Sequence, residues 1–365
     1  MIDHTWNGGC HERAKRRHAI VASAHSRRTL LVVSLALATG CATTPTSNPS
    51  VSRTELRRGA VQCLFAAIRY RYNPAVRAAA VESLEATASS DAAARIRAAL
   101  LDEHPAVRFA ACVAVGKSQD RLAESAIRRC LEDSDANVRV GALFAMHRLG
   151  HTEDTGKLAT LLLKHNDPAV RRNAALVTGI LVEPGAIKAL ARAMKDRDKG
   201  VRDHALEAMA RLHNADAKRE MVFMTEAGIG AEEVFALSAL AVTRDPALAE
   251  TFRYKLAHGD HLETRLAAAR GLGLLGLDDG YDIANRALSY GGAPVRASEG
   301  SRAQRLLRVR LLAASALGAI GRTDALGALD RLMNRSTDPR EQVAAARAIL
   351  EIIEANRKRG FPSFP

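Results

Sequence analysis

His258, His261 and Glu263 form the densest set of side chains able to hold a metal, since imidazole and carboxylate are ordinary ligands of zinc. Their setting argues for something plainer. The two histidines flank a Gly-containing turn, where capping a helix or facing solvent is the usual role. The five cysteines (Cys10, Cys41, Cys63, Cys112 and Cys130) have no short paired spacing and no neighbouring His cluster, so neither a zinc site nor a disulfide framework is indicated. Cys63, Cys112 and Cys130 fall in helical phases and read as small buried apolar residues. Arg302, Arg305 and Arg308, preceded by Arg296, recur along one side of a helix. They suit a phosphate or polyanion, with a solvated basic surface as the alternative. The sequence contains no Gly-rich phosphate loop before a strand, no nucleophile elbow and no paired-carboxylate site. These residues point away from an enzyme and call for no cofactor and no metal.

The elements that must position them follow from one recurring phrase. In Asp167-Pro168-Ala169-Val170-Arg171-Arg172-Asn173-Ala174-Ala175, the Asp can cap a helix whose first residue is Pro168. With the Val as phase zero, the equivalent residues are Val76, Val107, Val138, Val170, Val201, Glu232, Thr264, Val309 and Glu341. The steps between them are 31, 31, 32, 31, 31, 32, 45 and 32 residues. Arg follows in every copy except those with Glu233 and Gln342, and Ala stands at phase four in every copy, from Ala80 to Ala345. A period near 31 residues is the mark of stacked repeats. Phases zero, four, five and eight share one face, and phase seven is small, which lets neighbouring helices approach. Asp135–Arg139, Asp167–Arg171 and Asp198–Arg202 are each four residues apart, so each pair can form within a helix or join one copy to the next as a ladder. A row of ligand-binding Arg is the alternative. Aromatic residues make up only 4% of the chain while hydrophobic residues reach 47%, so the expected core is one of small residues.

Two helices per unit, Asp or Asn with Pro at the turn, then Val-Arg and Ala, resemble the HEAT repeat, in the short-period variety of the phycobilisome lyases. The resemblance covers about residues 54–357 and implies an all-α, right-handed α–α superhelix of about nine helical hairpins. HEAT arrays serve scaffolds, adaptors and a few enzymes, so the resemblance says little about function. Deoxyhypusine hydroxylase, which has similar repeats, binds iron through His-Glu pairs, and the one such dipeptide here is His11-Glu12, in the leader. HEAT-like DNA glycosylases use aromatic and acidic residues in a basic groove, and the repeats contain no Trp. No residue matches a catalytic role in the bilin lyases, although a lyase-like enzyme or accessory protein remains an alternative.

Residues 1–40 read as an export signal. Ser26-Arg27-Arg28 precede an apolar run, Leu30 to Ala38, and then Thr39-Gly40-Cys41. The run is too short to span a bilayer. Its end resembles the lipobox of bacterial lipoproteins, which implies lipid attachment at Cys41. It departs from that pattern in placing Ala38 where Leu is usual, and cleavage after Ala38 would instead release a soluble protein. Residues 41–53, rich in Ser, Thr and Pro, read as a flexible tether. Residues 1–20 make an unusually long lead, consistent with a start near Val21. The implied location is the bacterial envelope, facing the periplasm, and Ala42 favours the outer membrane. The net charge of +13 includes +4 from residues 1–40, and the rest is partly the repeated Arg. No nucleic-acid partner is expected.

The pattern breaks in two places. Glu232-Glu233 replace Val-Arg after a Met- and Gly-rich stretch from Met221, either a degenerate repeat or an adaptable apolar contact surface. The step of 45 residues carries a Gly/Pro loop at 288–304. Residues 358–365 form a tail. The expected partner site for a protein is a concave groove lined by phases two, three and six: Phe109, Phe144, Phe235, Arg172, Asp203, His204, Glu207, Arg270 and Arg347.

Overall fold

The structure, a computed structural model, describes residues 52–87, 89–227, 230–291 and 301–360. Cys41, the tether up to residue 51, Arg296 and residues 361–365 lie outside them. The described chain is an all-α solenoid of nine helical hairpins, and no strand occurs among the described residues. In order, the hairpins are α1 (Arg53–Ala67) with α2 (Pro74–Glu85), α3 (Ser90–Ala99) with α4 (Pro105–Ser118), and α5 (Glu124–Cys130) with α6 (Ala136–Arg148). Next come α7 (Thr155–Lys164) with α8 (Pro168–Leu181), α9 (Ile187–Ala193) with α10 (Lys199–Arg211), and α11 (Ala215–Ala227) with α12 (Ala231–Ala241). The last are α13 (Ala249–His258) with α14 (Leu262–Leu274), α15 (Tyr281–Ala287) with α16 (Arg302–Ile320), and α17 (Leu326–Arg335) with α18 (Pro339–Gly360).

Each even-numbered helix carries the phrase. Its N-cap is the expected residue in the early copies: Asn73, His104, Asp135, Asp167 and Asp198 each accept a hydrogen bond from a backbone N–H two or three residues on. His261 stands at the same place before α14 but makes no capping bond. Phase four is fully enclosed in every copy, from Ala80 to Ala345, because the even helices pack side by side through this row. Where they approach most closely the side chain disappears altogether. A Cβ on Gly179 would lie 2.7 Å from the Cα of Ala208 in the next unit.

The array also closes on itself. Helix α18 packs against α1 and α2, and α17 touches α1, so the ninth unit occupies the place a neighbour before the first would take. One apolar core runs across this seam, joining Leu56, Ala60 and Leu64 to Val343, Ile349 and Ile352. Arg57 Nε donates to Glu354 Oε1 at 3.2 Å across it. Helix α1 begins at Arg53, capped by Ser52 in a box with Glu55, and α18 continues to Gly360, three residues past the expected end of the repeats.

Candidate interaction surfaces

The phase-one arginines are structural. Arg171 sends Nε and Nη2 to the two carboxylate oxygens of Asp196, both at 2.8 Å, while its Nη1 donates to the carbonyls of His165 and Asn166. Arg108 does the same with Asp133 and the carbonyls of Asp102 and Glu103, and Arg77 pairs with Asp102. The guanidinium thus ties its own turn to the next hairpin. The ladder exists at Arg77, Arg108 and Arg171, with its acid two residues before the next cap rather than at it. Among the described residues, Arg139 and Arg202 bond only to the carbonyls of their own turns. Asp135, Asp167 and Asp198 are occupied with backbone N–H groups, so the expected pairing within a helix is not made. The Arg171 bond holds the Asp196 carboxyl below its ordinary range against the opposing effect of burial.

The break at Glu232-Glu233 preserves this link with charges exchanged. Glu233, buried, accepts from Lys255 Nζ at 2.9 Å and from Thr264 Oγ1 at 2.8 Å. Lys255 also donates to the carbonyl of Thr225. Gln342, the other exception, keeps the carbonyl bond alone, to Ser336.

Two of the aromatic side chains expected to line the concave groove are packed between helices instead. Phe109 and Phe144 are buried, at 3% and 0% exposure, where an exposed lining was expected. The reason is a missing side chain opposite each ring. A Cβ on Gly116 would meet Phe144 at 2.6 Å, and one on Gly141 would meet Phe109 at 3.0 Å, so each aromatic enters the hollow that a neighbouring glycine leaves. His204 is likewise buried, with Nδ1 3.1 Å from Glu207 Oε2 and its ring edge-on to the half-buried Phe235. Burial alone would raise the Glu207 carboxyl, but bonds from His204 and Arg211 bring it down to about 2. Arg172 and Asp203 are half-buried, Arg270 is half-buried, and Arg347 is exposed. The inner face is therefore apolar and packed at Val113, Phe144 and Leu176, and charged from Glu207 through Arg270 to Arg347.

The last residues of the insertion, 302–304, open α16, which starts at Arg302, seven positions ahead of its phase-zero Val309, behind a Ser301–Gln304 capping box. Arg305 and Arg308 lie 3.6 and 3.8 Å from Glu263, and Arg302 donates to the carbonyl of Gly291 at 2.6 Å. His258 packs on Tyr254, with ring centroids 4.8 Å apart, while Glu263 faces these arginines, so two of the three candidate metal ligands are drawn to separate tasks. No group of three or more metal-binding side chains occurs among the described residues.

One exposed surface joins the stretch from Met221, expected to be either a degenerate repeat or a contact surface, to a ring on α13 that the repeated phrase does not single out. Phe223 on α11 and Tyr254 on α13 are 60% and 61% exposed, and the two helices are tied together by Lys255 reaching Thr225. The rings occupy one repeat position, 31 residues apart, where other copies carry Arg129, Thr160 and Arg192. Aligning the odd helices on the phase of the even ones would have exposed the pair.

A family model described as HEAT repeats matches residues 61–146 and 123–210. A HEAT repeat-containing taxis protein of Halobacterium salinarum is 34% identical over 140 residues, covering 38% of this chain and 30% of that protein. The chain thus spans under a third of that relative. Among solved structures, the complex of CpcE and CpcF of phycocyanin lyase from Nostoc sp. PCC7120 is 18% identical over 76% of this chain and 99% of that one, with a TM-score of 0.41. Human deoxyhypusine hydroxylase is 17% identical over 82% of this chain and 97% of that one, with a TM-score of 0.36. UNC-45 from Drosophila melanogaster is 13% identical over 82% and 53%, with a TM-score of 0.38. At these identities no activity passes from them to this chain.

Proposed function

We propose that this HEAT-repeat protein is a non-enzymatic scaffold that binds a protein partner through the outer surface of α11 and α13. The observation that supports this is the exposed pair Phe223 and Tyr254, held on two adjacent helices. Large aromatic side chains presented on rigid helices, at little conformational cost, are the residues that most often anchor protein interfaces. The Met-rich stretch from Met221 contributes Met221 to the core beneath and leaves Met224 at the half-buried margin, where an adaptable side chain can fit a partner. This reading moves the binding surface from the inner to the outer face.

The sequence of residues 1–53 supports a location at the bacterial envelope, with an anchor through a lipid on Cys41 and the Ser/Thr/Pro-rich tether as a spacer. Globomycin should block processing, and mass spectrometry of the mature N-terminus should find an acylated Cys41. A mature protein beginning after Ala38 would remove the anchor and leave a soluble periplasmic protein. For the interface, wild type and a Phe223→Ala/Tyr254→Ala variant should be crosslinked in membranes and co-purified. A partner recovered with wild type and reduced at least about tenfold with the variant is expected from the usual cost of losing two anchoring aromatics. Equal recovery would move the interface elsewhere.

A further inference from the structure

The inner face of the closed array holds a cation to which the described residues offer no hydrogen bond. Arg270 on α14 makes no hydrogen bond to a described residue, and its Nη1 is fully enclosed. Buried polar groups in folded proteins nearly always have partners, so an enclosed guanidinium nitrogen without one calls for an explanation. Its charged surroundings make the case sharper. Arg347, Arg211 and Arg244 act on it as like charges, and Glu351 as an opposite one. The acids there are already engaged: Glu207 accepts from Arg211 at 2.7 Å, and Glu351 accepts from Arg347 at 2.8 Å. Arg244, exposed at a left-handed turn after α12, has no acid bonded to it among the described residues. Glu82 and Glu85 act on Arg347, and Glu82 Oε1 is itself enclosed without a hydrogen-bond partner among the described residues. Burial and the neighbouring cations pull the Arg270 guanidinium down to about 10, so it remains charged at neutral pH.

We propose that Arg270, with Arg244 as a second cation drawn to the same group, seats an oxyanion, a carboxylate or phosphate group, on the inner face at α14. A guanidinium presents two parallel N–H groups that match either oxyanion, and an anion there supplies an acceptor and a counter-charge. The seat is separate from the outer aromatic surface. It stands whether or not that surface binds a protein, and the Phe223→Ala/Tyr254→Ala variant should keep it.

The test is isothermal titration of the full chain with inorganic phosphate and, separately, with acetate, ionic strength being held constant with sodium chloride. Arg270→Gln should weaken binding at least about tenfold, the loss expected for one charge-assisted pair. Arg129→Gln, on the outer surface, should leave it within about twofold, since exposed charges contribute little. Preference for phosphate would identify a phosphorylated ligand, and preference for acetate a carboxylate; either supports the seat. Should Arg270→Gln fail to fold, Arg244→Gln, at an exposed position, should still weaken binding. Equal binding by wild type and both variants, or no binding of either anion by wild type, would overturn the proposal.

Discussion

At the scale of single residues, the same side chain means different things according to what surrounds it. Arg171 is 4% exposed, and its removal would strand Asp196 and two turn carbonyls. Arg171→Met should cost roughly 3–5 kcal/mol, as expected when one member of a buried pair is lost. Arg128, paired with Glu124 at 2.8 Å but half in solvent, should cost under about 1 kcal/mol on the same change. Urea unfolding of the two variants measures the difference. Acid should act on the same groups. Asp196 is held below its ordinary range and Glu207 at about 2, so each stabilises the fold fully above its unfolded value of roughly 4. That contribution fades as pH falls through the folded value. The urea midpoint should therefore drop steadily from pH 5 towards about pH 2, and Arg171→Met should flatten part of the drop.

At the scale of helices, the glycines separate packing from propensity. Gly179 lies against the backbone at Ala208, so Gly179→Ala should destabilise by about 1–3 kcal/mol despite its gain in helix propensity. Gly59, mid-helix in α1 with only Met333 Cε within 4 Å, at 3.7 Å, should gain up to about 1 kcal/mol on the same change. Thermal unfolding distinguishes the two signs. The hairpins themselves were legible in the sequence, because Pro-led phrase helices and an invariant small residue at phase four are local signals. The inner face was less so. Counting phases places Phe109 and Phe144 towards the centre correctly. Whether the centre is open depends on Gly116 and Gly141 in neighbouring units, and no single repeat reveals that. Glu233 misled for a similar reason: its partners, Lys255 and Thr264, lie in the next unit, so a conserved link looked like a broken phrase.

At the scale of the molecule, closure is the feature with most consequence. An open solenoid has two ends that fray, since a terminal unit has only one neighbour. Here α1 and α2 have α18 as a second neighbour and share its core. Hydrogen exchange in α1 should therefore be as slow as in α6, deep in the array. Ile349→Ala, fully buried in α18, should cost about 2–5 kcal/mol and speed exchange in α1 and α2 together. Such long-range closure leaves no mark within a repeat, since it follows from the small rotation that each of nine units adds.

The proposed interface lies on the outer face, at the exposed rings on α11 and α13. The most direct test is a photoreactive amino acid placed, one site at a time, at Phe223, Tyr254, Thr160 and Arg347 of the full chain, followed by irradiation in membranes. Sites 223 and 254 should give the same protein adduct, with little at 160, the equivalent exposed position on α7, or at 347 on the inner face. Adducts at 347 with none at 223 and 254 would contradict the account.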